Sequence, residues 1–133
     1  MVIDSSVTLA WFFEDERTDH ADDVMREVAS AGATVPALWR LEIANALQAA
    51  VRRRRVDAQF RDASLAGLRL FPIAIDNETD QHAWGRTLAL AERCNLTLYD
   101  AAYLELAQRL RLPLATLDRD LRAACRRERV ALR

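Results

Sequence analysis

Strand-length apolar runs that alternate with longer, helix-patterned stretches constrain this chain most. Residues 2–4, 33–35, 71–75, 114–117 and 130–132 are short and almost wholly apolar. A run of that kind is stable as a strand only when neighbours cover it on both sides and both faces. The stretches between them carry apolar residues at helical spacing and predict helices over residues 5–13, up to 31, 38–54, 58–70, 77–93, 97–110 and 119–128. Gly32 stops the second of these, and Asp57 and then Asp76 or Asn77 stand where N-caps are expected. Pro72 opens the third run. In the helix over 38–54, Leu38, Leu41, Ile43, Ala46, Leu47 and Val51 are expected to face inward. Strands separated by helices throughout predict a three-layer α/β domain, a short parallel sheet of four to five strands covered by helices on both faces.

Length and composition agree with a single domain over residues 1–133. Just over half of the residues are hydrophobic, enough for a core, and three Gly with three Pro leave no linker. No apolar run approaches the roughly 18 residues of a membrane span, and no basic segment leads into an apolar one at the start. A soluble, cytoplasmic protein whose mature chain begins here is expected. Cys94 and Cys125 lack metal-motif spacing and are expected as reduced thiols. Net charge is −1, and every basic residue is Arg, none Lys, so any phosphate contact would be of the bidentate guanidinium kind.

Four acids stand in apolar settings that a fold must account for. Asp4 ends the run Met1-Val2-Ile3, Glu42 interrupts an apolar helix, Asp100 starts the helix of Leu98-Tyr99-Asp100-Ala101-Ala102-Tyr103, and Asp118 follows Leu114-Ala115-Thr116-Leu117. Asp4 and Asp118 fall at the carboxyl ends of strands, where open α/β sheets place their functional crevice. Asp100 also reads as part of a helix cap with Thr97. Two carboxylates about 4 Å apart repel by roughly 4 kcal/mol at an effective dielectric near 20, so their convergence demands a counter-charge. A hard divalent cation such as magnesium or manganese supplies it through oxygen ligands, whereas no His or Cys cluster suggests zinc.

These residues, in this order and at this chain length, resemble the four acidic motifs of PIN domains, and over essentially the full chain the VapC-type toxins of bacterial toxin–antitoxin pairs. The resemblance implies an endoribonuclease that needs Mg2+ or Mn2+, with Asp4, Glu42, Asp100 and Asp118 as catalytic metal ligands and RNA as substrate. It also implies neutralisation by a VapB-like antitoxin, and a homodimer or a larger toxin–antitoxin hetero-oligomer. Ser6 and Thr116 match positions close to the acids in this family; each is either an orienting hydroxyl or a plain strand-end or cap hydroxyl. Asp120 is either a fifth acid or a cap for the last helix.

Arg52, Arg53, Arg54 and Arg55 are candidates for RNA phosphates, though a solvated cationic end to a helix is the reading their position favours. Arg119, Arg122, Arg126 and Arg127 form a second basic cluster open to the same two readings. Trp11, Trp39 and Trp84, with Phe12 and Phe13, are expected in the core or against a partner, and His20 and His82 receive no role. The alternative function is an acidic-pocket binding module that acts through antitoxin complexes and DNA-binding autoregulation, with little turnover. A haloacid-type phosphatase is disfavoured because Ser6 stands where its second Asp would be.

Overall fold

The computed structural model describes residues 1–133. Its centre is a four-stranded, all-parallel sheet in the order β3-β2-β1-β4, built from β1 (Val2–Ile3), β2 (Ala33–Val35), β3 (Ile73–Ile75) and β4 (Leu114–Ala115). β1 is level with both neighbours, Val2 lying opposite Thr34 on one side and Leu114 on the other, with Ile3 opposite Ala115. The helices are α1 (Ser5–Leu9), α2 (Asp19–Ala31), α3 (Trp39–Arg52), α4 (Ala58–Leu68), α5 (Thr79–His82), α6 (Leu88–Cys94), α7 (Leu98–Leu110) and α8 (Arg119–Arg127). Together they give the expected three-layer α/β arrangement.

α7 is the interior helix. Every residue from Ala101 to Ala107 is buried, Tyr103, Leu104 and Leu106 completely or nearly so. A stretch with apolar residues on every face and a single charge, Glu105, is stable only inside, and each Leu so withdrawn contributes about 1.5–3 kcal/mol. The Gly32 stop holds for a physical reason: its φ is +79°, and a Cβ there would lie 2.8 Å from the Pro72 carbonyl oxygen. That close approach lets the Ala33 N–H bond the same carbonyl at 3.1 Å and start the β2–β3 pairing. Asp57 caps α4 by accepting the Phe60 N–H at 2.7 Å, as expected.

Several expectations are corrected. The first helix ends at Leu9, because Trp11 and Phe13 turn away to stack on Phe71 and to meet Phe60, and Trp11 Nε1 donates to the Ala21 carbonyl. Leu41 is 75% exposed: the buried row of α3 is Trp39, Ile43, Leu47 and Ala50, and 100° per residue carries position 41 to its far side. Neither Asp76 nor Asn77 caps the following helix. The Asp76 carboxylate accepts the Thr79 hydroxyl and Arg109 instead, and the single helix expected up to residue 93 is broken by a π-helical turn, Ala83–Thr87. Gly85, a poor helix former, sits inside that turn, and Trp84 within it is 93% exposed, which excludes the core and not the partner contact among its two expected places. Finally, the fifth strand is reduced to one bridge, Leu114 with Leu132. β4 ends at Ala115, two residues earlier than expected, because from Thr116 onward the backbone bonds side chains instead of a strand.

No helix is long and apolar enough to cross a membrane. Both cysteines are free, Cys125 buried and Cys94 half-buried.

Candidate active site

Because β1 and β4 are level, Asp4 emerges beside Thr116. Asp4 caps α1: its Oδ1 accepts the Val7 N–H at 3.1 Å and the Ser6 hydroxyl at 2.7 Å, and its Oδ2 accepts the Thr116 hydroxyl at 2.6 Å. Thr116 Oγ1 in turn accepts the Asp118 N–H at 3.0 Å, and Ser6 Oγ accepts the Leu117 N–H at 2.9 Å. Both hydroxyls therefore tie the two strand ends together and fix the Asp4 carboxylate between them. Asp118 caps α8 through the Leu121 N–H at 2.7 Å. At the start of α7, Thr97 accepts the Asp100 N–H at 3.1 Å and donates its hydroxyl to Asp100 Oδ2 at 2.6 Å. Glu42, in the first turn of α3, accepts the Tyr103 hydroxyl on Oε2.

The cap reading of Asp100 is thus correct, Asp4 and Asp118 prove to be caps as well, and none of this conflicts with a second role for the three acids. Asp118 Oδ2 and Asp100 Oδ1 have no protein partner. The four acids also sense one another. Burial raises the Asp4 carboxyl above the usual range, against three hydrogen bonds that lower it, and Asp118 adds repulsion. Burial likewise raises Glu42, with Tyr103 opposing and the charges of Asp100 and Asp4 adding to the rise. The Tyr103 phenol is pushed far up by burial and by Glu42, so it stays a donor.

None of the four has an arginine within ion-pair distance, although the chain carries 19 of them. Acids of similar burial elsewhere are all paired. Glu105, 2% exposed, binds Arg109 at 3.1 Å, Asp76 binds the same guanidinium at 2.8 Å, and Glu128 binds Arg93 at 2.8 Å. Withholding cations from this one set of carboxylates fits an oxygen-only site for a hard divalent ion. As the side chains stand, no three His, Cys, Asp or Glu residues surround a common point at ligand spacing.

Asp120 is exposed and borders a depression with Cys94, Asn95 and Arg127, while the cap of α8 is Asp118. Arg52–Arg55 lie at the far end of α3 from Glu42, about 15 Å along the helix. Arg55 is held there by Asp15 and Glu16 and stacks 3.9 Å over Phe13. One residue beside the acids, Tyr103, escapes a reading of sequence alone, and Arg122 of the second basic cluster also reaches the strand end that holds them. Tyr103 follows Asp100 by three residues and so shares its helix face. Arg122 donates to the Thr116 carbonyl at 3.1 Å.

Removing only the phenol oxygen tests whether Tyr103 orients Glu42. On the metal-dependent cleavage that the family resemblance implies, Tyr103→Phe is expected to lower cleavage or manganese affinity roughly tenfold, the usual effect of losing a partner one step from an ion. Its hydrogen bond lowers the Glu42 pKa, so its loss should move the acidic limb of the pH–activity profile upward. A change in melting temperature with the limb unmoved would make Tyr103 a packing residue only.

Comparison with known proteins places this geometry in context. Residues 1–127 match the PIN domain family. The chain is 29% identical over 121 residues to Ribonuclease VapC3 of Pyrobaculum aerophilum, covering 91% of each. Among solved structures, it superposes on a Pyrobaculum aerophilum protein with a TM-score of 0.64 and 27% identity, over 92% of this chain and 84% of that one. A toxin–antitoxin complex from Klebsiella pneumoniae shares the fold, with a TM-score of 0.59 and 20% identity over 88% and 85% of the two chains.

Proposed function

The chain belongs to the PIN domain family, and from that premise we propose that it is a VapC-type endoribonuclease, dependent on Mg2+ or Mn2+ and restrained by a VapB-like antitoxin. The observation that carries this reading is the unneutralised set Asp4, Glu42, Asp100 and Asp118, beside other buried acids that all have an arginine. The relative named as a ribonuclease supports RNA as the substrate.

The residues divide the work. Asp4, Glu42, Asp100 and Asp118 would hold the ion, which when bound lowers the pKa of a water and offsets charge on a phosphate. Ser6 and Thr116 fix the two Asp4 oxygens by donating to them, and Tyr103 does the same for one oxygen of Glu42. Asp100 and Asp118 stand in the first turn of α7 and at the cap of α8, where the partial positive charge of a helix N-terminus favours their ionised form. A cationic side chain of the antitoxin, set among the acids, would relieve the same repulsion and so block the site.

RNA cleavage should require added magnesium or manganese and vanish in excess chelator. A panel of structured RNAs incubated with metal-stripped protein, then with manganese restored, checks this. Cleavage that persists after verified metal removal rules the mechanism out. RNA binding without cleavage in either state favours the acidic binding module instead.

A further inference from the structure

A polyanion must approach four carboxylates that carry no counter-charge, so something beside them has to attract it. α8 supplies the charge. At 100° per residue, Arg119, Arg122 and Arg126 fall within a stripe about 60° wide, opposite the buried Leu121, Ala124 and Cys125. None of the three pairs with a carboxylate. Arg119 and Arg126 are exposed and Arg122 is half-buried. The stripe starts one residue after Asp118 and extends about 10 Å along the helix. Its middle member is anchored at the site, because Arg122 bonds the carbonyl of Thr116, whose hydroxyl holds Asp4.

Unpaired guanidiniums in a row, without interleaved acids, match a phosphate backbone in charge and in bidentate geometry. Arg52–Arg55 do not offer this, since they lie at the other end of the sheet and Arg55 is engaged. We infer that the Arg119–Arg122–Arg126 face of α8 is the track along which single-stranded RNA leaves the acidic pocket. The inference rests on the nuclease reading above and names where its substrate lies.

The test is Arg119→Glu with Arg126→Glu, which spares the anchored Arg122. The control is Arg69→Glu with Arg111→Glu, the same charge change on exposed, unpaired arginines at the C-terminal ends of α4 and α7, away from the pocket. The probe is a fluorescein-labelled single-stranded RNA 20-mer of mixed sequence. Its binding is measured by anisotropy across a salt series, and its cleavage in manganese is measured in parallel. The α8 variant should bind at least tenfold more weakly, with KM raised more than kcat is lowered. Its slope of log K against log salt should be shallower by about 1.4 or more, as expected for two lost phosphate contacts on a single strand. Its manganese-induced thermal shift should match the wild type, while the control behaves as wild type throughout. Equal losses in both double variants mean that overall charge acts and overturn the track. Wild-type binding and slope in the α8 variant overturn it too, as does a loss of kcat alone. If the wild-type protein neither binds nor cleaves the RNA, the nuclease reading itself fails and takes the track with it.

Discussion

Asp4→Asn is expected to abolish RNA cleavage and at the same time to raise the melting temperature of the metal-free protein at neutral pH. The loss of cleavage should be roughly a thousandfold or more, beyond the roughly 10–100-fold that follows removal of a group one step from an ion. The gain in stability follows from burial. Asp4 is 4% exposed, and its ionised form is disfavoured by desolvation and by Asp118 despite three hydrogen bonds. An amide keeps the capping oxygen for the Val7 N–H and presents a donor to Thr116, whose hydroxyl can turn to accept it. The same argument fixes a pH dependence. A carboxyl whose folded pKa is raised stabilises the fold below its unfolded pKa, and that contribution is lost as pH rises through the folded value. For Asp4 and Glu42 the metal-free protein therefore loses stability between mildly acidic and neutral pH. Asp76 and Glu128 act in the opposite sense. Arg109 and Thr79 outweigh burial at Asp76, and Arg93 holds Glu128 down to about 2 from 4.5. The stability they add is lost as pH falls below about 4.5. Melting temperature should peak between the two windows, and Asp4→Asn should flatten only the neutral side.

Arg109→Met is expected to be the most destabilising single change among the charged residues, by about 3 kcal/mol or more. Arg109 is the only guanidinium bonded to three acids at once: Glu105 at 3.1 Å, Asp76 at 2.8 Å and Glu78 at 3.3 Å. It thereby holds α7 to the segment that follows β3. Without it Glu105 stays buried inside the domain, with only Arg86 and His82 nearby at 3.8 and 3.9 Å. A melting temperature lower by roughly 10 °C is the measurable form for a domain of this size. Adding Glu105→Gln should recover part of the loss, because the stranded charge has gone. Strictly additive losses would show that the network does not act through that charge. Cleavage per folded molecule should survive at low temperature, since the ion pairs lie on the side of α7 away from Asp100.

The two predictions correspond to two kinds of buried acid, and only one was readable from the chain. Asp4, Glu42, Asp100 and Asp118 announce themselves by their apolar neighbours and by strand ends. Glu105 sits just as deep, but its partners come from residues 76–86 and 109, whose meeting depends on how α7 packs under the π-helical turn. The same distinction runs through the fold. Gly32, the Asp57 cap and the 33–35 strand are set by local chemistry and stand as expected. Leu41, the break at Ala83–Thr87 and the reduced last strand are set by which face meets which neighbour. The two arginine clusters look alike as strings of letters. The direction of their helices separates them: α3 carries Arg52–Arg55 away from the acids, whereas α8 starts at Asp118.

The central claim is that these carboxylates hold an ion, and a manganese titration followed by thermal melting tests it on folded protein without any RNA. Wild-type protein should gain melting temperature with saturable dependence on manganese, since an ion that binds only the folded state stabilises by mass action. Asp4→Asn should start higher and gain little, and chelator should return the wild type to its metal-free value. A manganese shift that is equal in both proteins, or a metal-free melting point lowered by several degrees in Asp4→Asn, would mean that Asp4 only caps a helix.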